Sequence, residues 1–189
     1  MSNLEIIAVM VSLLGVALTV QRHLWCWYVN MLAVVLYAVI FYQYKLYGET
    51  VLQILFFGMQ GYGLWQWKMG QQQDHTIVVK RLPRQQAIQH LMVGAVTGYA
   101  FGLFLHSFTD AAVLWLDAQL TAFSLVASLW AARRYIESWW MWVVLDIVYV
   151  GLFYDRGLNL TAFLYFIFIM MAIFGAWKWQ GIWAKNKMV

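Results

Sequence analysis

Long apolar stretches alternate with short polar ones along almost the whole chain. Each apolar stretch is close to the roughly 20 residues that a helix needs to cross a bilayer, and none shows the two-residue alternation of a barrel strand. The pattern predicts seven transmembrane helices, at 4–20, 25–43, 49–67, 86–105, 113–131, 139–154 and 159–178. The one long polar stretch, 68–89, contains the only proline and is expected to form a cytoplasmic linker.

The two ends of the chain carry an internal repeat. Shifting the sequence by 112 positions superimposes three tryptophans, two tyrosines and a glycine. These pairs are Trp27/Trp139, Trp65/Trp177, Trp67/Trp179, Tyr37/Tyr149, Tyr42/Tyr154 and Gly63/Gly175. We interpret this register as a duplication. Residues 1–67 form the first three-helix repeat, 68–112 the linker and a central helix 4, and 113–189 the second repeat with a cytoplasmic tail.

Composition places the chain in the membrane. Hydrophobic residues make up 64% and charged residues 11%, against roughly 45–50% and about 25% in soluble domains. The first helix has no positively charged start and no cleavage site, so it is expected to remain as a span. The single Cys26 excludes an internal disulfide and a cysteine metal cluster. We expect an all-α integral membrane protein without catalytic residues, cofactor or metal.

The basic residues predict the orientation. Seven crossings put ten of the 12 lysines and arginines on one side and leave only Lys45 and Arg156 on the other. Because cytoplasmic loops collect Lys and Arg, the C-terminus is expected inside and the N-terminus outside. The net charge of +4 then needs no nucleic-acid partner, and it adds some attraction to anionic lipid. The two repeats share one orientation only if helix 4 adds a crossing, which gives a parallel 3+1+3 arrangement of the transporter type.

One face of helix 6 combines an acid with aromatic rings. Asp146 is predicted to lie well inside the membrane, where ionisable groups by default mark a pathway. The 3, 4, 3, 4 spacing puts it on one face with four aromatic residues, which are Trp139, Trp142, Tyr149 and Phe153. An anion beside aromatic rings suits a flat cationic ligand. For Trp139, an aromatic belt at the membrane interface remains an equal alternative.

The remaining polar candidates lie on helices 2, 3 and 5. Helix 2 presents the matching face, with Val34 in place of the acid, through Trp27, Asn30, Val34, Tyr37 and Phe41. Gln53 and Gln60 share a face of helix 3, and Gln119 lies on helix 5 with Asp117 about one turn in. Hydrogen bonding between helices explains Gln53 and Gln60 as well as a ligand does, and it is the slightly favoured explanation for Gln119 and the other polar residues of helix 5. On helix 4, three glycines four apart (Gly94, Gly98 and Gly102) predict close packing within the chain or at a subunit interface.

These motifs resemble the Pnu vitamin transporters. The resemblance rests on Leu52-Gln53, Tyr62-Gly63 and Trp67 in the first half, and on Tyr135 to Trp139, Trp142, Asp146, Leu164-Tyr165 and Gly175 to Trp179 in the second. It implies a fold similar to a full-length SWEET transporter, with trimers, and facilitated diffusion followed by trapping through a cytoplasmic vitamin kinase. It also implies a central pocket containing Trp139, Trp142, Asp146, Gln53 and Gln60, with aromatic gating by Trp27 and Tyr37. The expected location is a bacterial inner membrane.

The sequence leaves three candidates for the vitamin that is carried. Family members that carry nicotinamide riboside often have asparagine where this chain has Ala33 and Asp146, so the resemblance favours thiamine, then nicotinamide riboside, then flavins. Outside this class, a light sensor would need a lysine in the middle of helix 7, yet Lys178 lies at its end. A membrane haem or quinone enzyme would need facing histidines, and His90 and His106 bracket opposite ends of helix 4. A receptor or structural role is the remaining alternative.

Overall fold

The computed structural model shows an all-helical chain. It describes residues 3–43, 47–74, 77–108, 114–155, 157 and 159–186. The described residues form seven helices: α1 Asn3–Val20, α2 Trp25–Gln43, α3 Tyr47–Asp74, α4 Arg84–Phe108, α5 Leu114–Ala132, α6 Glu137–Asp155 and α7 Asn159–Asn186. All seven predicted helices are therefore present. Lys45, Asp110, His75 and Arg156 lie outside the described residues.

Two helices run beyond the apolar stretches that predicted them. α3 continues to Asp74 and α7 to Asn186, each beyond its predicted end. The residues added to α3 include three glutamines and a lysine, which are good helix formers that also tolerate water. Those added to α7 are mixed and include Ile182 and Trp183 beside Lys185. Together with the early start of α4 at Arg84, the extension of α3 reduces the expected 68–89 linker to the short segment between α3 and α4.

Six helices form a closed ring and the seventh lies outside it. Packing contacts connect α1 to α2, α2 to α3, α3 to α5, α5 to α6, α6 to α7, and α7 back to α1. Within the described residues, α4 packs against α5 alone. The glycine ridge of α4 makes this contact: a Cβ on Gly98 would meet the Gln119 side chain at 2.7 Å, and one on Gly102 would meet Trp115 at 2.6 Å. The ridge therefore serves packing within the chain.

The turn between the first two helices has the same backbone conformation in both halves. At the α1–α2 and α5–α6 turns, Arg22 and Arg134 both adopt positive φ, at 57° and 67°. In the first turn the N–H of Arg22 donates to Thr19 O at 2.9 Å, and in the second the N–H of Arg134 donates to Ala131 O at 3.0 Å. Four further backbone hydrogen bonds in each turn match at the same 112-residue shift. Equal backbone geometry at equal register supports the duplication.

The segment between α3 and α4 ties these two turns together. Ile77, Val79 and Leu82 are buried, and the Arg22 guanidinium donates to Ile77 O at 2.7 Å. Lys80 pairs with the second turn, donating its N–H to Arg134 O at 2.9 Å and accepting from Ile136 N at 3.1 Å. Arg22, Lys80 and Arg134, three of the basic residues predicted for one side, thus meet at one end of the bundle.

Four helices are long and apolar enough to cross a membrane by length and composition. They are Asn3–Val20, Trp25–Gln43, Arg84–Phe104 and Thr161–Asn186. The other three predicted spans, α3, α5 and α6, have less apolar described residues. Each of them contributes polar side chains to the bundle interior, including Gln60, Ser128 and Asp146.

Candidate functional site

A cavity of about 280 Å³ lies inside the six-helix ring. Every helix except α4 contributes to its wall among the described residues. The lining is aromatic and polar and consists of Ser12, Val16, Thr19, Trp27, Asn30, Ala33, Val34, Tyr37, Phe56, Gln60, Ser128, Ala131, Ser138, Trp139, Trp142, Asp146, Tyr165, Phe168 and Ala172. Seven of the predicted site residues therefore surround one space.

A cluster of four buried tryptophans closes one end of this space. Trp27 meets Trp67 edge-to-face with ring centroids 5.2 Å apart, and Trp139 meets Trp179 in the same way at 5.4 Å. Both interplanar angles are 87°, and the two pairs are related by the repeat. Trp139 is 4% exposed, so it belongs to the interior rather than to an interfacial belt. Trp25, Trp65 and Trp177 are exposed and suit that belt instead.

The same cluster joins the two halves through hydrogen bonds. The Trp67 indole of α3 donates to Ala131 O at the end of α5, at 3.1 Å. The Trp179 indole of α7 donates to Val20 O at the end of α1, at 3.2 Å. The outer tryptophans of the cluster thus hold the ring closed at this end.

The inner two tryptophans keep their N–H donors free for the cavity. The Nε1 atoms of Trp27 and Trp139 are buried and have no hydrogen-bond partner among the described residues, and neither has the Oε1 acceptor of Gln60. An unpaired buried polar atom costs about 1–3 kcal/mol. Two donors and one acceptor are therefore available to a polar ligand or to water.

Asp146 is the acid of the cavity wall. Its residue is 5% exposed, and within the described residues its carboxylate forms no ion pair and no hydrogen bond. A buried carboxylate without a partner is costly, and a bound cation would remove that cost. The described residues contain no group of three or more His, Cys, Asp or Glu that could hold a metal ion. A carboxylate among aromatic rings suits an organic cation.

The wall is built from repeat-related positions with unequal chemistry. Val34 occupies the position of Asp146 in the first half, and both line the cavity. Asn30 likewise corresponds to Trp142, and Gln60 to Ala172. The two sides of the cavity are therefore built from equivalent positions, but one wall presents charge and the other presents amide groups.

Three predicted site residues do not line the cavity. Tyr149 packs instead against Tyr165 and Phe153, with centroids 4.9 Å and 5.9 Å away. Gln119 donates to Ala95 O at 3.2 Å, which connects α5 to α4. Gln53 is half-buried on α3, and Asp117 is half-buried on α5, also away from the cavity.

Several lining residues were not among the predicted ones. Small hydroxyl side chains account for four of them: Ser12, Thr19, Ser128 and Ser138. Such residues are common inside membrane helices, and composition alone does not mark them. Phe56 and Phe168 also line the cavity. Their match within the repeat was the signal that could have found them.

Comparison with known proteins gives the family. A model of the nicotinamide mononucleotide transporter family matches residues 2–181. The chain belongs to this family. The predicted resemblance to Pnu vitamin transporters is thereby confirmed, and members of the nicotinamide mononucleotide transporter family are multi-pass membrane transporters rather than enzymes.

Relatives of the chain differ in the vitamin for which they are named. The chain is 23% identical to the nicotinamide riboside transporter PnuC of Escherichia coli, over 95% of this chain and 85% of that protein. It is 25% identical to the riboflavin/roseoflavin transporter RibM of Streptomyces davaonensis, over 97% and 85%. The crystal structure of the vitamin B3 transporter PnuC superimposes with a TM-score of 0.78 at 23% identity, covering 96% of this chain and 82% of that one. The fold is therefore shared.

Proposed function

We propose that this protein transports a cationic aromatic vitamin, with thiamine as the favoured substrate. The observation that supports this most is the unpartnered Asp146 carboxylate on the wall of an aromatic cavity. A cation next to Asp146 gains charge pairing, and rings over the cation add cation–π attraction. Trp139 and Trp142 lie on the same helix face and supply those rings.

The cavity also fits the size of a small vitamin. Small-molecule sites usually measure roughly 300–1,000 Å³, and this cavity, at about 280 Å³, lies just below that range. That volume suits thiamine or nicotinamide riboside better than a flavin, which has three fused rings and a ribityl chain. The free indole donors and the Gln60 acceptor can serve the ring nitrogens and amino group of thiamine.

Nicotinamide riboside is the second candidate. It also carries a permanently charged aromatic ring, and a relative covering most of the chain is named for it. Aspartate at 146 in place of asparagine is the feature that favours thiamine. The amide of Asn30 on the opposite wall suits either ligand.

The proposed mechanism is alternating access without energy input. All seven helices cross the membrane, and the halves form parallel three-helix repeats joined by α4, as in other transporters with a midplane site. Rocking of the halves about the cavity would open it to each side in turn. The sequence has no phosphate-binding G-x-x-x-x-G-K-S/T loop, in keeping with facilitated diffusion and trapping by a cytoplasmic vitamin kinase. We place the protein as a homotrimer in a bacterial inner membrane, with its C-terminus in the cytoplasm.

The first test is a fluorescence titration of the purified protein. Tryptophans line the cavity, so thiamine should quench their emission saturably, while riboflavin should not compete with thiamine. Replacing Asp146 by Asn keeps the shape and removes the charge. We expect the Kd for thiamine to rise by at least about ten-fold, since breaking a buried charge pair costs on the order of 2 kcal/mol or more.

The matched control is Asp155→Asn, which removes an acid from the exposed end of the same helix. Its Kd should equal that of the wild type. Equal affinity of wild type and Asp146→Asn would remove Asp146 from the site. Saturation by nicotinamide riboside alone would assign the second candidate.

A further inference from the structure

A second groove lies on the outside of the ring between α1 and α7. It has a volume of about 280 Å³ and is lined by Ala17, Val20, Gln21, Met171, Phe174 and Lys178. Its floor is apolar. Its polar groups are the Gln21 amide, directly after the end of α1, and the Lys178 amine, next to the Trp179 that bonds to Val20. Within the described residues, Lys178 has no ion-pair or hydrogen-bond partner.

The repeat offers a direct comparison with the other contact between the halves. At the α3–α5 contact, the positions equivalent to Gln21, Phe174 and Lys178 are Arg133, Tyr62 and Gln66. There the Tyr62 hydroxyl accepts from Gln66 Nε2 at 3.0 Å and from Arg133 Nε at 3.4 Å. The polar groups of the α3–α5 contact therefore satisfy one another.

At the α1–α7 contact the same arrangement is missing its acceptor. Phe174 has no hydroxyl, and no acidic side chain is among the residues that line the groove. The ammonium of Lys178 is therefore available to a negative group from outside the chain. The adjacent Trp177 is 71% exposed, and exposed tryptophans of membrane helices typically lie at the level of the lipid headgroups.

We propose that the α1–α7 groove binds one anionic phospholipid. Lys178 and Gln21 hold its phosphate, and one acyl chain lies along Ala17, Met171 and Phe174. Basic pockets between helices at the membrane surface are typical headgroup sites. The lipid occupies a contact between the two halves, so it replaces the protein–protein hydrogen bonds that Tyr62 provides at the other contact.

Native mass spectrometry of the full chain tests this directly. Protein in detergent is incubated with equal amounts of phosphatidylglycerol and phosphatidylcholine, and retained lipid is counted after release from the micelle. The wild type should retain phosphatidylglycerol selectively. Lys178→Gln should lower its retention about five-fold, the equivalent of about 1 kcal/mol for one lysine at the membrane surface.

Three controls separate this site from other sources of binding. Lys178→Arg keeps the charge and should retain the lipid, and Lys185→Gln removes an exposed lysine on α7 that does not line the groove and should change nothing. Phe174→Trp fills the groove and should lower retention with the charge intact. Equal loss in Lys178→Gln and Lys185→Gln would overturn the site, and so would full displacement of the lipid by inorganic phosphate, which would indicate a phosphate site only. These readouts do not depend on which vitamin is carried.

Discussion

Two of the three tryptophans that line the cavity, Trp27 and Trp139, pack into spaces left by glycines on neighbouring helices. A Cβ added at Gly175 would meet the Trp139 ring at 2.7 Å, and one added at Gly63 would overlap the Trp27 ring. Each glycine thus provides the space into which an indole packs, at repeat-related places. Because the inner indoles form no hydrogen bonds within the described residues, this shape complementarity holds their rings.

Alanine substitutions should show this dependence. Gly63→Ala and Gly175→Ala force the indole rings to move, and such overpacking costs about 1–3 kcal/mol. Gly58 and Gly151 have nothing within 4 Å of an added Cβ, so alanine there should be neutral or stabilising by up to about 1 kcal/mol. Thermal unfolding in detergent measures the difference. Equal Tm values for all four variants would contradict the packing role.

The sequence predicted the residues at the centre of the site better than those at its edges. Helical spacing placed Trp139, Trp142 and Asp146 on one face, and all three line the cavity. Tyr149 shares that face, but it lies further along α6, where its ring packs against the ring of Tyr165. Helical periodicity predicts the direction in which a side chain points, but it does not predict which residues of other helices pack against that side chain. Gln119 illustrates the same limit, since its partner Ala95 belongs to a helix 24 positions earlier.

The segment 77–83, which connects α3 to α4, also has a structural role. Glu137 at the start of α6 accepts from Leu82 N at 2.9 Å and from Arg81 at 3.2 Å. The Arg81 guanidinium also lies 5.0 Å from the Trp183 ring centroid on α7. The segment therefore contacts both turns and the last helix.

Removing the Glu137 carboxylate should loosen this segment. Glu137→Ala leaves the buried Leu82 N–H without its acceptor, at a cost of about 1–3 kcal/mol. We expect trypsin to cut after Lys80 or Arg81 several-fold faster than in the wild type. Asp155→Ala, at the opposite end of α6, should cleave at the wild-type rate. Unchanged cleavage in Glu137→Ala would show that the buried apolar residues hold the segment alone.

Helix positions followed from the apolar pattern, and helix ends did not. The pattern detects where a chain must avoid water, and α3 and α7 leave the apolar zone without unwinding. Neither α3 after Trp67 nor α7 after Lys178 contains a proline. Each helix continues through a glycine, Gly70 in α3 and Gly181 in α7. The hydrogen bond from the Arg22 guanidinium to Ile77 O also could not be predicted from the sequence, since it joins positions 55 residues apart.

For the whole molecule, the main property is a cavity with repeat-related walls and one charge. The two tryptophan pairs, the two turns and the Val34/Asp146 positions all keep the same register. The repeat was visible in the sequence because three tryptophans, two tyrosines and a glycine match at one shift, which apolar composition alone would not give. The closed ring was not, since it depends on the α1–α7 and α3–α5 contacts between distant segments.

If the halves enclose the site equivalently, the acid should function from either wall. Asp146→Val alone removes the charge and should weaken thiamine binding by at least about ten-fold. Adding Val34→Asp to this variant restores one carboxylate to the cavity, and we expect it to recover a substantial part of the affinity. Thiamine titrations of the single and double variants measure this. A double variant no better than Asp146→Val would show that the ligand requires the α6 wall.

The burial of Cys26 has a practical consequence for experiments on motion. Its side chain is fully buried, and it is the one cysteine of the chain, so thiol reagents have no exposed native target in the folded protein. Tyr42 and Tyr154, which the repeat relates, are 63% and 69% exposed near the ends of α2 and α6. Cysteines introduced there would accept spin labels or fluorophores in an otherwise unaltered chain, and the distance between the labels would report on the separation of the two halves during a transport cycle.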